Sequence, residues 1–179
     1  MEQLARARRI ADVGAGAGFP GLVLAVALPG ARVDLIESAG RKTAVITRLA
    51  QAARIDNARA VTTRAEDWAG RPAALGGGAL AYDAVTARAV AALPVLVEYA
   101  APLLRDEGVL VAWKGARDPD EERRGGEAAR QLGLEGAEPR RVEPFEGARD
   151  RHLHVYRKIA PTPERFPRRP GMAAKRPLA

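Results

Sequence analysis

A chain of 179 residues with 47% hydrophobic side chains has the size of one domain and enough apolar material for one core, which excludes a wholly disordered polypeptide. It has no cysteine, so disulfides, thiolate metal sites and a cysteine nucleophile are excluded, and its two histidines, His152 and His154, are too few to hold a metal. The net charge of +7 is uneven: residues 1–156 carry 22 Lys/Arg against 21 Asp/Glu, whereas residues 157–179 carry seven basic residues against Glu164 alone.

In chain order, residues 9–13 predict a first strand, followed by a glycine-rich turn and a helix over 20–28. A second strand is expected at 32–37, and then an amphipathic helix over 39–54 whose apolar face is Ala44, Val45, Leu49 and Ala52. A third strand at 58–63 and a loop around Gly76–Gly78 precede a fourth strand at 82–87, a helix near 93–104 and a fifth strand at 108–113. A polar helix from about 119 to 132 leads to two final strands, 140–145 and 152–158, expected to close the sheet as an antiparallel hairpin. Strands alternating with helices predict an α/β fold, a mostly parallel sheet with helices on both faces. The longest apolar run, Leu22 to Leu28, is seven residues and no secretory core is present, so no membrane partner and a cytoplasmic location are expected.

Chemistry concentrates in Asp12-Val13-Gly14-Ala15-Gly16-Ala17-Gly18-Phe19-Pro20-Gly21. Glycines here let the backbone turn tightly and approach a bound molecule closely. The second strand ends in Glu37, where a dinucleotide-type fold places the acid that accepts ribose hydroxyls. Together they predict a nucleoside-containing cofactor. Gly14, Gly16 and Gly18 read as G-x-G-x-G, while Gly16, Gly18 and Gly21 read as the G-x-G-x-x-G of dehydrogenases, so an NAD-dependent oxidoreductase is one reading. Against it, both histidines fall on the last strand, far along the chain from the turn.

The same motif, with Leu35-Ile36-Glu37-Ser38-Ala39-Gly40-Arg41-Lys42, resembles the small-subunit ribosomal RNA guanine-N7 methyltransferases, also called glucose-inhibited division protein B. Further blocks match in order: Arg64-Ala65-Glu66, Thr86-Ala87-Arg88-Ala89-Val90 with Leu93-Pro94, Lys114-Gly115, Arg151-His152-Leu153, and Phe166-Pro167-Arg168-Arg169-Pro170-Gly171 with Lys175-Arg176-Pro177-Leu178. The resemblance implies a Rossmann-like S-adenosylmethionine-dependent fold of about seven strands, acting on one guanine of small-subunit ribosomal RNA, as RNA or within the subunit. It implies that Gly14, Gly16 and Phe19 line the methionine and ribose, that Glu37 accepts two ribose hydroxyls, and that Ala65 and Glu66 flank the adenine. Glu66 reads equally as an acid stabilising the start of a short helix, and Phe19 as core.

Guanine N7 carries a lone pair and no proton, so the transfer needs positioning rather than a general base. Arg88 and Lys114 sit at strand ends, where open α/β sheets bind ligands, and are expected to position the cofactor and target. Arg88 reads alternatively as an ion-pair partner of Asp83 or Glu66, Lys114 as a strand cap, and Trp68 and Trp113 either as core residues or as stacking surfaces for an extruded base. Arg151, His152, Arg168, Arg169, Lys175 and Arg176 are the RNA-contact candidates. The expected organisation is a catalytic domain over 1–158 and a basic, proline-broken tail over 159–179 that lies extended along a partner or in solvent. The resemblance implies N-terminal helices before the glycine turn, and in this chain Met1 precedes the first strand by only about eight residues. Apolar surface around the first and fourth strands is therefore expected to be uncovered, and a shortened, catalytically idle RNA-binding relative is the alternative reading.

Overall fold

The computed structural model describes residues 2–179. Its sheet runs β3-β2-β1-β4-β5-β8-β6. The strands are β1 (Arg9–Val13), β2 (Arg32–Glu37), β3 (Ala58–Thr62), β4 (Tyr82–Arg88), β5 (Leu104–Lys114), β6 (Leu134–Gly136), β7 (Arg140–Arg141) and β8 (His152–Lys158). The first five pair in parallel, while β8 runs antiparallel to β5 and to the short β6 and β7. All five parallel strands therefore present their carboxyl ends at one edge, and β8 begins there, with His152 opposite Lys114.

Helices cover both faces. On one, α1 (Glu2–Ala5), α2 (Gly21–Ala27) and α3 (Gly40–Ala52) enclose Leu4, Leu22, Leu24 and Ile46 against Ile10, Val33 and Ala84. On the other, α4 (Ala65–Ala69), α5 (Leu93–Ala100) and α6 (Pro119–Gln131) pack Trp68, Leu96 and Ala129 against Val13, Val85 and Leu110. Beyond them one further turn, α7 (Met172–Lys175), lies in the C-terminal segment.

Several expectations are corrected by packing. The buried face of α3 is Thr43, Ile46 and Ala50, while Ala44 and Leu49 face solvent, because Thr43 Oγ1 bonds Thr62 Oγ1 at 2.7 Å and Ile46 enters the core. The helix expected to reach 104 ends at Ala100, and β5 begins at Leu104. Lys158 Nζ donates to the carbonyls of Ala101 and Leu104, both at 2.9 Å, taking up acceptors freed at the helix end. The last hairpin is shorter than expected: only Arg140 and Arg141 pair with β8 from that segment, and Leu134–Gly136 forms the edge. Nor are β1 and β4 left bare. Their interior residues, Ile10 and Ala84 among them, are buried beneath α1 and α2, and Trp113, Leu153 and Val155 are among the half-buried apolar side chains of this face.

The basic tail differs most from expectation. It folds back onto the body, with Phe166 and Ala173 buried, and Leu178 packs on the core. No helix among the described residues is long and apolar enough to cross a membrane.

Candidate active site

The turn after β1 is shaped by glycines with left-handed backbone, at φ of +66° for Gly14, +59° for Gly16 and +100° for Gly18. Such angles favour glycine, which has no Cβ to clash. At Gly14 the space is also closed, since a Cβ would lie 2.6 Å from Val90 Cγ2. Asp12, buried at the end of β1, ties this turn to the sheet: Oδ1 accepts from the Thr86 hydroxyl at 2.8 Å and Oδ2 from the Gly21 amide at 2.9 Å. Burial pushes its pKa up to about 6, against the opposing pull of Thr86, the Gly21 amide and the Arg88 charge.

Glu37, at the end of β2, faces this turn. Its Oε2 accepts from the Gly16 amide at 3.1 Å and its Oε1 from the Ala39 amide at 2.9 Å, while Lys42 Nζ stands 3.7 Å away. Burial opposes its ionisation, but the Ala39 and Gly16 amides, Lys42 and Ser38 together hold the carboxyl below its ordinary value. A carboxylate offers about four lone-pair positions, so acceptor capacity remains for a hydroxyl-bearing ligand.

The first cleft is lined by Val13, Gly14, Glu37, Ser38, Thr63–Glu66, Val90 and Tyr99. Of the residues expected at a cofactor, Gly14, Glu37, Ala65 and Glu66 meet here. Gly16 reaches the cleft through its bond to Glu37, Phe19 stands half exposed on the turn, and Arg88 lies on the far side of the 88–90 turn. Glu66 Oε1 accepts from the Gly171 amide at 2.8 Å, a contact across 105 positions that neither alternative for this residue anticipated. The sequence reading also missed Tyr99, whose phenol is pushed up by burial and by the charges of Glu66 and Glu98. Its position inside an apolar helix gave no sign of a cleft residue.

A second cleft, of about 480 Å³, adjoins the first across the 88–90 turn. Its lining includes Arg88, Trp113, Lys114, Phe145, Arg151 and His152. Arg88 is exposed and has no ion-pair partner among the described residues, since Asp83 pairs with Arg105 instead. Lys114 is paired to Glu121 at 2.6 Å and donates to the Ala91 carbonyl at 3.3 Å. His152 Nδ1 stands 3.0 Å from the Gly115 carbonyl, an acceptor only, so Nδ1 carries the proton and Nε2 is an acceptor when the ring is neutral. Trp113 is half buried in this wall, whereas Trp68 is core, its indole donating to the Tyr82 hydroxyl at 2.8 Å. Phe145, exposed on the loop before β8, is a lining residue that the sequence gave no reason to single out. Of the tail candidates, Arg169, Lys175 and Arg176 are exposed, but Arg168 is turned inward onto Glu98.

The sheet order and the clefts at its carboxyl edge define the fold of an S-adenosylmethionine-dependent methyltransferase. The chain superposes on the antibiotic-resistance methyltransferase Kmr with a TM-score of 0.65 at 19% identity, covering 90% of this chain and 92% of that one. It superposes on P. horikoshii TYW2, solved with MeSAdo, with a TM-score of 0.63 at 16% identity, covering 84% and 56%. Within this class, residues 1–154 match the family model of rRNA small subunit methyltransferase G, and the chain belongs to that family. It is 45% identical to the ribosomal RNA small subunit methyltransferase G of Rubrobacter xylanophilus over 99% of this chain and 68% of the relative. The corresponding protein of Chloroflexus aggregans is 44% identical over 93% of this chain and 68% of its own length.

Proposed function

We propose that this chain transfers a methyl group from S-adenosylmethionine to N7 of a guanine in small-subunit ribosomal RNA. The observation that carries the reading is the pair of clefts that both draw on the 88–90 turn, one with acids and backbone amides, the other cationic with aromatic walls. The first fits the methyl donor: a glycine turn leaves no room for a Cβ at Gly14, and a charged Glu37 is fixed by two amides with lone pairs to spare. In this reading Glu37 accepts ribose hydroxyls, Ala65 and Glu66 border the adenine, and Gly14 and Gly16 bring backbone against the rest of the ligand.

When bound, S-adenosylmethionine supplies a methyl group on a positively charged sulfur. The chain's part is to hold guanine N7 in line with it and to exclude water. No residue has to remove a proton, because N7 offers a lone pair: the new C–N bond forms as the electrons of the C–S bond return to sulfur. The positive charge moves from sulfur to the purine, so an uncompensated cation at N7 would oppose the reaction. Pairing Lys114 with Glu121 lowers that opposition, and Arg88 and Arg151 are left for O6 or phosphate oxygens. Phe145 and Trp113 offer faces on which an extruded base can stack. A ribosomal target places the action in the cytoplasm.

The test is transfer of labelled methyl from S-adenosylmethionine to small subunits that lack this modification, with nucleosides read by mass spectrometry. 7-Methylguanosine in the RNA is the expected product. No transfer at saturating donor, with RNA binding retained, would leave the chain an RNA-binding relative, and label on another atom would overturn the assignment of N7.

A further inference from the structure

The C-terminal segment is secured at several points, and one of them, at Glu66, touches the wall of the first cleft. Phe166 is buried in the core cluster that also holds Trp68 and Ala69, and Pro167 lies against Gly70 at the end of α4. Arg168 grips Glu98 through a two-pronged contact, Nε to Oε1 at 2.6 Å and Nη2 to Oε2, and Nη2 also donates to the Arg176 carbonyl at 2.9 Å. Three residues on, Gly171 donates its amide to Glu66 Oε1. Near the end of the chain, Arg124 donates through Nε and Nη2 to the Ala179 carbonyl oxygen at 2.8 and 2.6 Å. The tail is thus a strap over α4, α5 and α6.

Glu98 is 3% exposed and Glu66 7% exposed, and Tyr99 between them lines the cleft and feels both charges. A free glutamate side chain samples several rotamers, and fixing it costs conformational entropy. The Gly171 amide holds Glu66 by one oxygen before any ligand arrives. Its other oxygen, Oε2, takes no hydrogen bond from the described residues, and Glu66 is itself a lining residue of the cleft.

We infer that the Arg168–Gly171 turn of the tail is a positioning element for the methyl donor: by clasping Glu66 through one oxygen it presets the other as the acceptor for the adenine amino group. The inference rests on the reading above that Glu66 borders the adenine. It assigns Arg168 to cofactor geometry rather than to RNA. By linkage, a ligand that binds better with the strap docked must in turn tighten the strap.

Two measurements test it on the full chain. The first is calorimetric titration with S-adenosylhomocysteine and with its inosine counterpart, which carries a keto group in place of the 6-amino group. Wild type should favour the adenine form by about tenfold or more, the scale of a hydrogen bond to a charged acceptor. Arg168→Ala strands the buried Glu98 carboxylate and risks the fold, so the informative variant is Glu98→Gln/Arg168→Leu, which removes both charges. That variant should bind S-adenosylhomocysteine about five- to thirtyfold more weakly and the inosine form within about twofold of wild type, collapsing the preference. Arg168→Lys, which keeps the charge but loses the fork, should fall between. A preference unchanged in the double variant would reduce the strap to scaffolding and overturn the inference. A wild type that binds both ligands equally would instead overturn the adenine reading of Glu66. The second measurement needs no mutation: the amide of Gly171 should exchange more slowly with S-adenosylhomocysteine bound, and unchanged exchange would also overturn the inference.

Discussion

Asp12 gives the sharpest quantitative expectation. It is buried and its carboxyl is pushed from 3.8 to about 6, chiefly by that burial, so the folded chain binds this proton more tightly than the unfolded one. A raised folded value means that stability is fully present below about pH 4 and is lost as pH rises through 6. At about 1.4 kcal/mol per decade the loss amounts to about 3 kcal/mol, most of it between pH 4 and pH 6. Asp12→Asn keeps the shape: its carbonyl can accept the Gly21 amide and its amide can donate to Thr86 Oγ1, though the Thr86 hydroxyl proton then loses its acceptor. That loss, on the order of 1 kcal/mol, displaces the variant by a constant at every pH. The pH-dependent part is the test. Urea unfolding of both proteins from pH 4 to pH 8 should show wild type losing about 2 to 3 kcal/mol relative to the variant, a relative midpoint shift of about 1 M for a urea slope of about 2 to 3 kcal/mol/M. A difference constant with pH, or one in which wild type gains on the variant as pH rises, would refute the reasoning.

Gly14→Ala should cost about 2 to 4 kcal/mol of stability, from left-handed strain plus a Cβ driven against Val90, and should weaken S-adenosylhomocysteine binding in calorimetry because Val90 also lines the first cleft. Glu37→Gln should weaken the same ligand by about ten- to a hundredfold, the scale of hydrogen bonds to a charged acceptor. Because Glu37 is held below its ordinary value of 4.5, its contribution is fully present above that pH and is lost only as pH falls through the lower folded value; wild-type affinity should show no loss from this group between pH 8 and pH 5. Replacing the exposed Arg169, Lys175 and Arg176 by alanine should lower RNA affinity and flatten its dependence on log salt by up to about 0.7 to 0.9 per lost phosphate contact, as read by filter binding over a salt series.

Local signals determined the parts of this molecule that depend on neighbours in sequence. The bounds of β1 and β2 follow from short apolar runs ended by turn residues, and α6 follows from Pro119 as its first residue and the Asp118 side chain capping its first amides. The glycine turn and Glu37 were legible because left-handed backbone and an acid at a strand end require particular residue types. What tertiary structure alone decided was partnership. Which face of α3 is buried depended on Thr62 and the core it meets, the end of α5 on an ammonium from Lys158 in the last strand, and the pairing of Lys114 on Glu121 in a later helix. The tail shows this most plainly: its charge and prolines describe a segment that cannot sustain a long helix, yet nothing local says that Arg168 will meet a buried Glu98 or that Gly171 will meet Glu66. Desolvation makes such pairings obligatory, since a buried carboxylate without a partner is costly, but the partner is chosen by where the folded chain returns rather than by what stands beside it in sequence.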